Sequence, residues 1–219
     1  PSSYRPESVD SLEFGLKTSS FGGRLRANVA VFDADYEDLQ IIVRESFNPL
    51  TVNAGAARVR GGELELEWFT TDDWEIGLSA GYLDTGYRRL NRPAQDSGVR
   101  LDNRLANAPA WSLAAGTAWQ VSLGGLGEMT ARIDWSWQDT VYHDAVNSPQ
   151  IRQGPLHLVN ASLAFAPRAA RWQLTVATRN LLDETYLVTG NSAFDTPAAY
   201  LEQVWGRPRE LLASLRYQF

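Results

Sequence analysis

Apolar and polar residues alternate one by one along most of this chain. Leu25, Ala27, Val29 and Val31 fall on one face of an extended segment, and Arg24, Arg26 and Asn28 fall on the other. A period of two is the mark of a strand with unlike faces. Leu64, Leu66 and Trp68 oppose Glu63, Glu65 and Glu67 in the same way. The rows Trp74-Ile76-Leu78-Ala80-Tyr82, Trp111-Leu113-Ala115-Thr117-Trp119 and Met129-Ala131-Ile133-Trp135-Trp137 repeat it. The pattern predicts about nine strands, near 9–18, 23–44, 52–69, 74–87, 104–121, 128–142, 154–166, 171–186 and 208–219. Helical spacing does not compete over any long window. The last strand keeps its phase through Leu211, Ala213, Leu215, Tyr217 and Phe219, where most chains fray into polar residues.

The connections carry a second pattern. SSFGG, TTDD, SLGGLG and APRAA are tight-turn material, and they alternate with longer connections. The longer ones are roughly ESFNPLTV, DTGYRRLNRPAQDSGVRLDN, HDAVNSPQIRQ and LVTGNSAFDTPAAYLEQVWG. A soluble sandwich has no reason for strict alternation, whereas an outer-membrane barrel keeps short turns in the periplasm and long loops outside. The expectation is therefore all-β: an antiparallel transmembrane β-barrel portion of about nine strands, with short periplasmic turns and long extracellular loops.

Aromatic placement agrees with this. The chain carries eight Trp, eight Tyr and eight Phe although its mean hydropathy is only −0.29. Trp68, Trp74, Trp119, Phe165, Trp172 and Phe219 are the outward-phase residues nearest the short turns, as a periplasmic aromatic girdle requires. Tyr82, Trp111 and Trp137 form a second set near the long loops. A sandwich core would instead gather its aromatics in mid-strand. Phe219, Tyr217 and Leu215 then supply the carboxyl-terminal signature that outer-membrane insertion machinery reads.

Composition removes other classes. No apolar run approaches the roughly 18 residues of a membrane helix. With no cysteine, the chain has neither a disulfide framework nor a thiolate metal site. A net charge of −6 argues against a nucleic-acid partner, which would need a basic face. There is no G-x-S-x-G, P-loop or G-x-G-x-x-G, and no signal peptide opens the chain. Nothing calls for a cofactor.

Several stretches resemble the barrel of TonB-dependent outer-membrane receptors. RPESVDSLEFGLKTSSFGGRLRANVAVFDADYEDLQ is similar to the family's Pro-Glu, E-x-G-x-K and F-x-x-D-Y-x-D-x-Q text. NAGAARVRGGELELEW, LANAPAWSLAAG, RNLLDETY and the closing GRPRELLASLRYQF follow in family order, with RNLLDETY and the last strand the most specific. Family barrels are plugged and have about 22 strands. The resemblance thus implies that residues 1–219 are a carboxyl-terminal part, with the plug, the TonB-gripping segment and the earlier strands preceding it. An odd strand number also argues against a complete barrel. The implied activity is TonB-driven uptake of a scarce ligand, a ferric siderophore first among them. Cobalamin, haem or carbohydrate as ligand, a passive porin and an outer-membrane enzyme are the alternatives. The implied partners are TonB, the outer-membrane assembly machinery, lipopolysaccharide and membrane lipid, and the small-molecule ligand.

Within that frame, Tyr87, Arg88, Arg89, Arg92, Arg100 and Arg104 cluster about one long loop, and phenol and guanidinium groups suit an anionic chelate. Binding lipopolysaccharide phosphates or merely solvating the loop are the other readings. Glu63, Glu65 and Glu67 stand about 7 Å apart on one strand face, near glycosidase carboxylate separation. Lining the lumen with Arg24, Arg26 and Lys17 is the simpler role. Asp33, Asp35, Glu37 and Asp38 offer calcium-type oxygens without an EF-hand's glycine and spacing, so an acidic strand extension above the membrane is preferred. His143 and His157 are too few for a zinc site and are expected at loops or strand ends. Asn160-Ala161-Ser162 matches a glycosylation sequon on a strand with no room for a glycan.

Overall fold

The computed structural model describes residues 4–45, 48–194 and 199–219. Its strands are β1 (Ser8–Ser20), β2 (Leu25–Glu45), β3 (Asn48–Thr71), β4 (Trp74–Leu90), β5 (Trp111–Ser122), β6 (Gly127–Gln138), β7 (Val141–Tyr142), β8 (Arg152–Gln153), β9 (Leu156–Pro167), β10 (Trp172–Arg179), β11 (Leu187–Ala193), β12 (Tyr200–Trp205) and β13 (Glu210–Tyr217). Nine of them form one antiparallel sheet in the order β1-β2-β3-β4-β5-β6-β9-β10-β13. These are the nine strands that the alternation predicts. The hairpins β7–β8 and β11–β12 lie within the long loops, as does a short helix α1 (Arg92–Asp96).

From the short turns up to the bulges at Tyr36/Leu39 and Ala56/Ala57, register puts the two phases on opposite faces. Leu25, Ala27 and Val29 sit opposite Trp68, Leu66 and Leu64, while Arg26 and Asn28 sit opposite Glu67 and Glu65. Trp68, Leu66 and Leu64 in turn face Ile76, Leu78 and Ala80, and the apolar row continues through Ala115 and Trp135. Leu12, Phe14, Ile133 and Leu215 on this face are 77%, 74%, 53% and 69% exposed. An apolar surface of that extent facing water would be an aggregation site. Facing lipid, it is the outer wall of a barrel.

The described core is elsewhere, at the long-loop end. Val43, Val52, Ala54, Ala57, Tyr87, Ala94, Val99 and Ala145 form one buried cluster. A tilted strand crosses the bilayer in about 9–11 residues, so β2 and β3, with 21 and 24, rise far above it and carry this cluster outside. The first connection expected to be a long loop, ESFNPLTV, is therefore mostly strand; Ser46 and Phe47 within it lie outside the described residues.

Other strand ends differ for local reasons. The fifth strand starts at Trp111 rather than 104, because residues 104–107 bond the next loop: Arg104 N–H donates to Asn147 Oδ1 at 2.8 Å and Asn107 N–H to the Tyr142 carbonyl at 2.8 Å. The sixth ends at Gln138, and Val141 and Tyr142 pair with β8 instead. The eighth stops at Arg179 because Asn180 adopts φ +48°. In the last strand the ladder ends at Tyr217, and Gln218 N–H makes one further backbone bond, to Arg171, at 2.8 Å. Phe219 lies one residue beyond, its ring edge-on to Tyr217 with centroids 5.2 Å apart.

Candidate functional site

The sheet supplies three surfaces. The first is the outward apolar band. Trp74 and Trp119 are cross-strand partners, Trp68 pairs with Leu25 and Ile76, Phe165 packs on Trp172 with centroids 6.0 Å apart, and Trp172 faces Tyr217. Trp68, Trp74, Trp119, Phe165 and Trp172, five of the six aromatics expected at the short turns, thus stand in one phase beside those turns, and Phe219 lies past the end of the ladder. Tyr82 and Trp111 are partners 4.7 Å apart at the opposite edge. His157, opposite Trp137 at that edge, is a strand-end residue as expected.

The inward face is polar and concave. Arg26 donates to Glu67 at 3.1 Å and Asn28 to Glu65 at 3.2 Å. A hollow runs from Arg26 and Glu67 past Ser79 and Gly116 to Arg132 and Asp134, which pair at 2.7 Å. Glu63 and Glu65 border a second hollow with Ser112 and Ser136. Arg24 is set apart from these. It lies in the turn before β2 and reaches Asp72 of the adjacent turn at 2.6 Å, so it ties two turns together.

Above the outward band the same phase turns ionic. Asp33 pairs with Arg58 and with Arg60, the latter at 3.2 Å; Arg88 reaches Asp35 at 3.3 Å and Arg89 reaches Glu37 at 2.6 Å. Asp35, Arg58 and Gly86 are register partners, in phase with Phe14, Val31 and Tyr82 below. The acidic stretch is thus an ion-paired strand extension, and no acid or histidine group among the described residues has the arrangement of a metal site.

Between the inward face and the long loops lies a cavity of about 1230 Å³. Tyr36, Val59 and Tyr87 line it from the sheet, and segments 96–107, 142–149 and 190–194 from the loops. Burial, with help from the nearby Asp144 charge, pushes the Tyr87 phenol up to about 12, so it stays a neutral hydrogen-bonding group. Of the six expected loop residues only Tyr87 and Arg100 reach this cavity. Arg88 and Arg89 belong to the outer ionic ladder. Arg92 lies on α1 within 4.0 Å of Asp96, and Arg104 pairs with Asp139 at 3.4 Å. Spacing in sequence grouped these arginines, but strand alternation and two bulges, at Tyr36/Leu39 and Ala56/Ala57, send them to different faces.

The loops form one packed layer. Asn103 Nδ2 donates to the Ala145 carbonyl at 2.8 Å, and Asn147 Nδ2 to the Arg104 carbonyl at 2.9 Å. His143 Nδ1 meets Asn107 Oδ1 at 2.9 Å, and burial pulls its pKa below the usual imidazole value. Ile151 is fully buried where Gly190 passes over it, with no space for a Cβ there.

Two asparagines outside the expected site residues tie segments to the sheet, Asn53 the stretch before β1 and Asn180 the last long loop. Asn53 Nδ2 donates to the Arg5 and Asp38 carbonyls, at 2.9 and 2.6 Å, while its Oδ1 accepts from Arg5 N–H at 2.7 Å. Two residues on, Gly55 at φ +131° lies so close to the Arg89 carbonyl that a Cβ would stand 2.2 Å from it. The second asparagine opens NLLDETY. Asn180 is buried; its N–H donates to Asn160 Oδ1, its Nδ2 to the Glu184 and Arg207 carbonyls at 2.8 and 3.1 Å, and its Oδ1 accepts from Glu184 N–H. Asp183 accepts from Arg209 N–H at 2.8 Å, and the Tyr186 ring covers Gly206. The motif is a clip that joins the two feet of the last long loop. Asn160, the sequon asparagine, is thereby engaged inside the wall.

Asn180→Ala removes three side-chain bonds around buried groups and places alanine at a left-handed position. It should cost the folded full-length barrel roughly 2 kcal/mol or more and speed limited chymotryptic cleavage between residues 180 and 209, which include Tyr186, Tyr200 and Trp205. Unchanged cleavage would show that the clip is not what holds the loop.

These surfaces match a known type. Residues 1–181 fit the family model described as TonB dependent receptor-like, beta-barrel. The chain belongs to the TonB-dependent receptors. A probable TonB-dependent siderophore receptor, PiuA of Acinetobacter baumannii, is 22% identical over 218 residues, covering 97% of this chain and 27% of the relative. The ferric yersiniabactin uptake receptor FyuA of Yersinia pestis superposes with a TM-score of 0.79 at 20% identity, over 97% of this chain and 30% of the other. The ferric-catecholate import receptor Fiu of E. coli K12 gives 0.73 at 18%, over 99% and 28%. The chain thus spans less than a third of the length of these relatives. Like other TonB-dependent receptor barrels, it resides in the outer membrane of a Gram-negative bacterium, and its family consists of transport receptors rather than enzymes.

Proposed function

We propose that this chain is the carboxyl-terminal wall of an active-transport receptor that captures a ferric siderophore outside the cell and passes it inward when TonB acts on the part of the protein preceding residue 1. The supporting observation is the pairing of a family barrel with a cavity that opens between its packed long loops and the polar inward face. A plug preceding these strands would fill the lumen against Arg26, Glu63, Glu65 and Glu67. Lipid covers the outward band. The ionic ladder of Asp33, Arg58, Arg60 and Arg88 stands at the level of lipopolysaccharide phosphates, and assembly machinery reads the last strand through Leu215, Tyr217 and Phe219.

The test is uptake of iron-55 chelates by cells that lack their own siderophore receptors and express the full-length protein. Accumulation should require both the receptor and a functional TonB. Equal accumulation without TonB would identify a passive porin.

A further inference from the structure

We infer that the cavity beneath the long loops suits an uncharged ferric chelate presenting amide or hydroxamate oxygens, and disfavours a trianionic tricatecholate; this rests on the siderophore-uptake reading and names its ligand class.

The inference follows from where the charges go. Arg100 is the sole lysine or arginine among the described residues of the cavity wall, and Asp96 and Asp144 stand on the same wall. The other guanidiniums of the region are committed elsewhere. Arg88 and Arg89 occupy the outward face, paired with Asp35 and Glu37, Arg104 pairs with Asp139, and Arg92, which is not on the wall, lies 4.0 Å from Asp96. The rest of the wall is apolar, as at Leu39, Ile41 and Val43, or carries uncharged hydrogen-bonding groups such as the phenols of Tyr36, Tyr87 and Tyr142 and the carboxamides of Gln40, Asn103 and Asn191, with His143 the one further titratable base, its pKa pulled down by burial. Recognition of polyanions relies on clustered arginines making charge-assisted bonds. A trianion on this wall would meet Asp96, which Arg92 neighbours at 4.0 Å, and Asp144 with Arg100 as the wall's one guanidinium, too few cations to offset the loss of its hydration. A neutral trihydroxamate chelate asks only for donors to its exposed oxygens, which phenols and carboxamides supply.

The experiment titrates the purified full-length receptor at low ionic strength with ferrichrome, a neutral trihydroxamate, and with ferric enterobactin, a trianion. Ferrichrome should bind at least about tenfold more tightly. Asp96→Lys, which adds a cation at the wall, should raise affinity for ferric enterobactin and leave ferrichrome unchanged. Arg88→Ala, on the outer face, should change neither. Equal or tighter binding of ferric enterobactin to the wild type overturns the inference while leaving TonB-dependent uptake intact, as does a loss of either affinity in Arg88→Ala. Failure to bind either chelate overturns it too, and if no ferric chelate is taken up in the cell assay, the uptake reading falls separately.

Discussion

Leu78→Arg should lower the unfolding free energy of the full-length barrel by about 2–4 kcal/mol, the cost of a cation on the lipid face near the membrane midplane. Leu78 is 46% exposed in the outward phase, between Leu66 on β3 and Ala115 on β5. Its neighbour Ser79 has the opposite orientation. It is the register partner of Glu65 and lines the inward hollow with Glu67 and Asp134. Ser79→Arg places its guanidinium among carboxylates and water, so it should cost far less. Refolding into lipid vesicles across a denaturant series measures both variants. Equal losses would mean that the faces have been exchanged.

Loss of the terminal ring should be the other large effect, and it should appear in assembly rather than in stability. Phe219→Ala, or deletion of Phe219, should lower the outer-membrane abundance of the full-length receptor several-fold and raise its periplasmic degradation. The ring packs on Tyr217, which itself faces Trp172, so Phe219 extends the aromatic row at the short-turn edge. Gln218 points the other way, and its backbone N–H bond to Arg171 survives side-chain truncation. Gln218→Ala should therefore leave abundance near the wild type. Quantitative blotting of outer-membrane fractions distinguishes the variants, and similar damage from Gln218→Ala would contradict the assigned phase.

The sheet was legible because its information is local. Alternation at Leu64, Leu66 and Trp68 against Glu63, Glu65 and Glu67 needs no tertiary context, and the short turns at Asp72-Asp73 and Gly124-Gly125 separate neighbouring strands unaided. The cavity was not legible for the opposite reason. Whether an arginine beyond the membrane faces the lumen or the outside depends on every bulge below it. Asp38, at φ +54°, and Gly55, at φ +131°, shift the phase of β2 and β3 within DYEDLQII and VNAGAA, where the alternation itself lapses and no longer tells which face follows. Sequence spacing groups Arg88 and Arg89 with Arg100, and the register shift opposite Ala56/Ala57, which leaves Arg88 without a register partner, helps to part them.

The asparagines show an intermediate case. Asn180 stood inside the most specific motif, so its importance was visible but not its task. That task joins residues 160, 184 and 207 through a few hydrogen bonds, and no periodicity records such contacts. Asn53 is similar: its partners at Arg5 and Asp38 come from two other segments. Asparagine in N-A-G and in N-L-L-D was the available clue, since it tolerates left-handed backbone and offers both a donor and an acceptor.

Orientation across the membrane is the claim on which the faces, girdle and cavity all depend, and these 219 residues contain no cysteine to confuse its test. Single cysteines replace Asp102, in the loop between β4 and β5, and Asp72, in the turn between β3 and β4, in a full-length receptor without other accessible cysteines. A membrane-impermeant maleimide is then applied to intact cells. The account predicts labelling at position 102 at once, and at position 72 only after the outer membrane is permeabilised. Labelling of position 72 on intact cells, with position 102 protected, would contradict it.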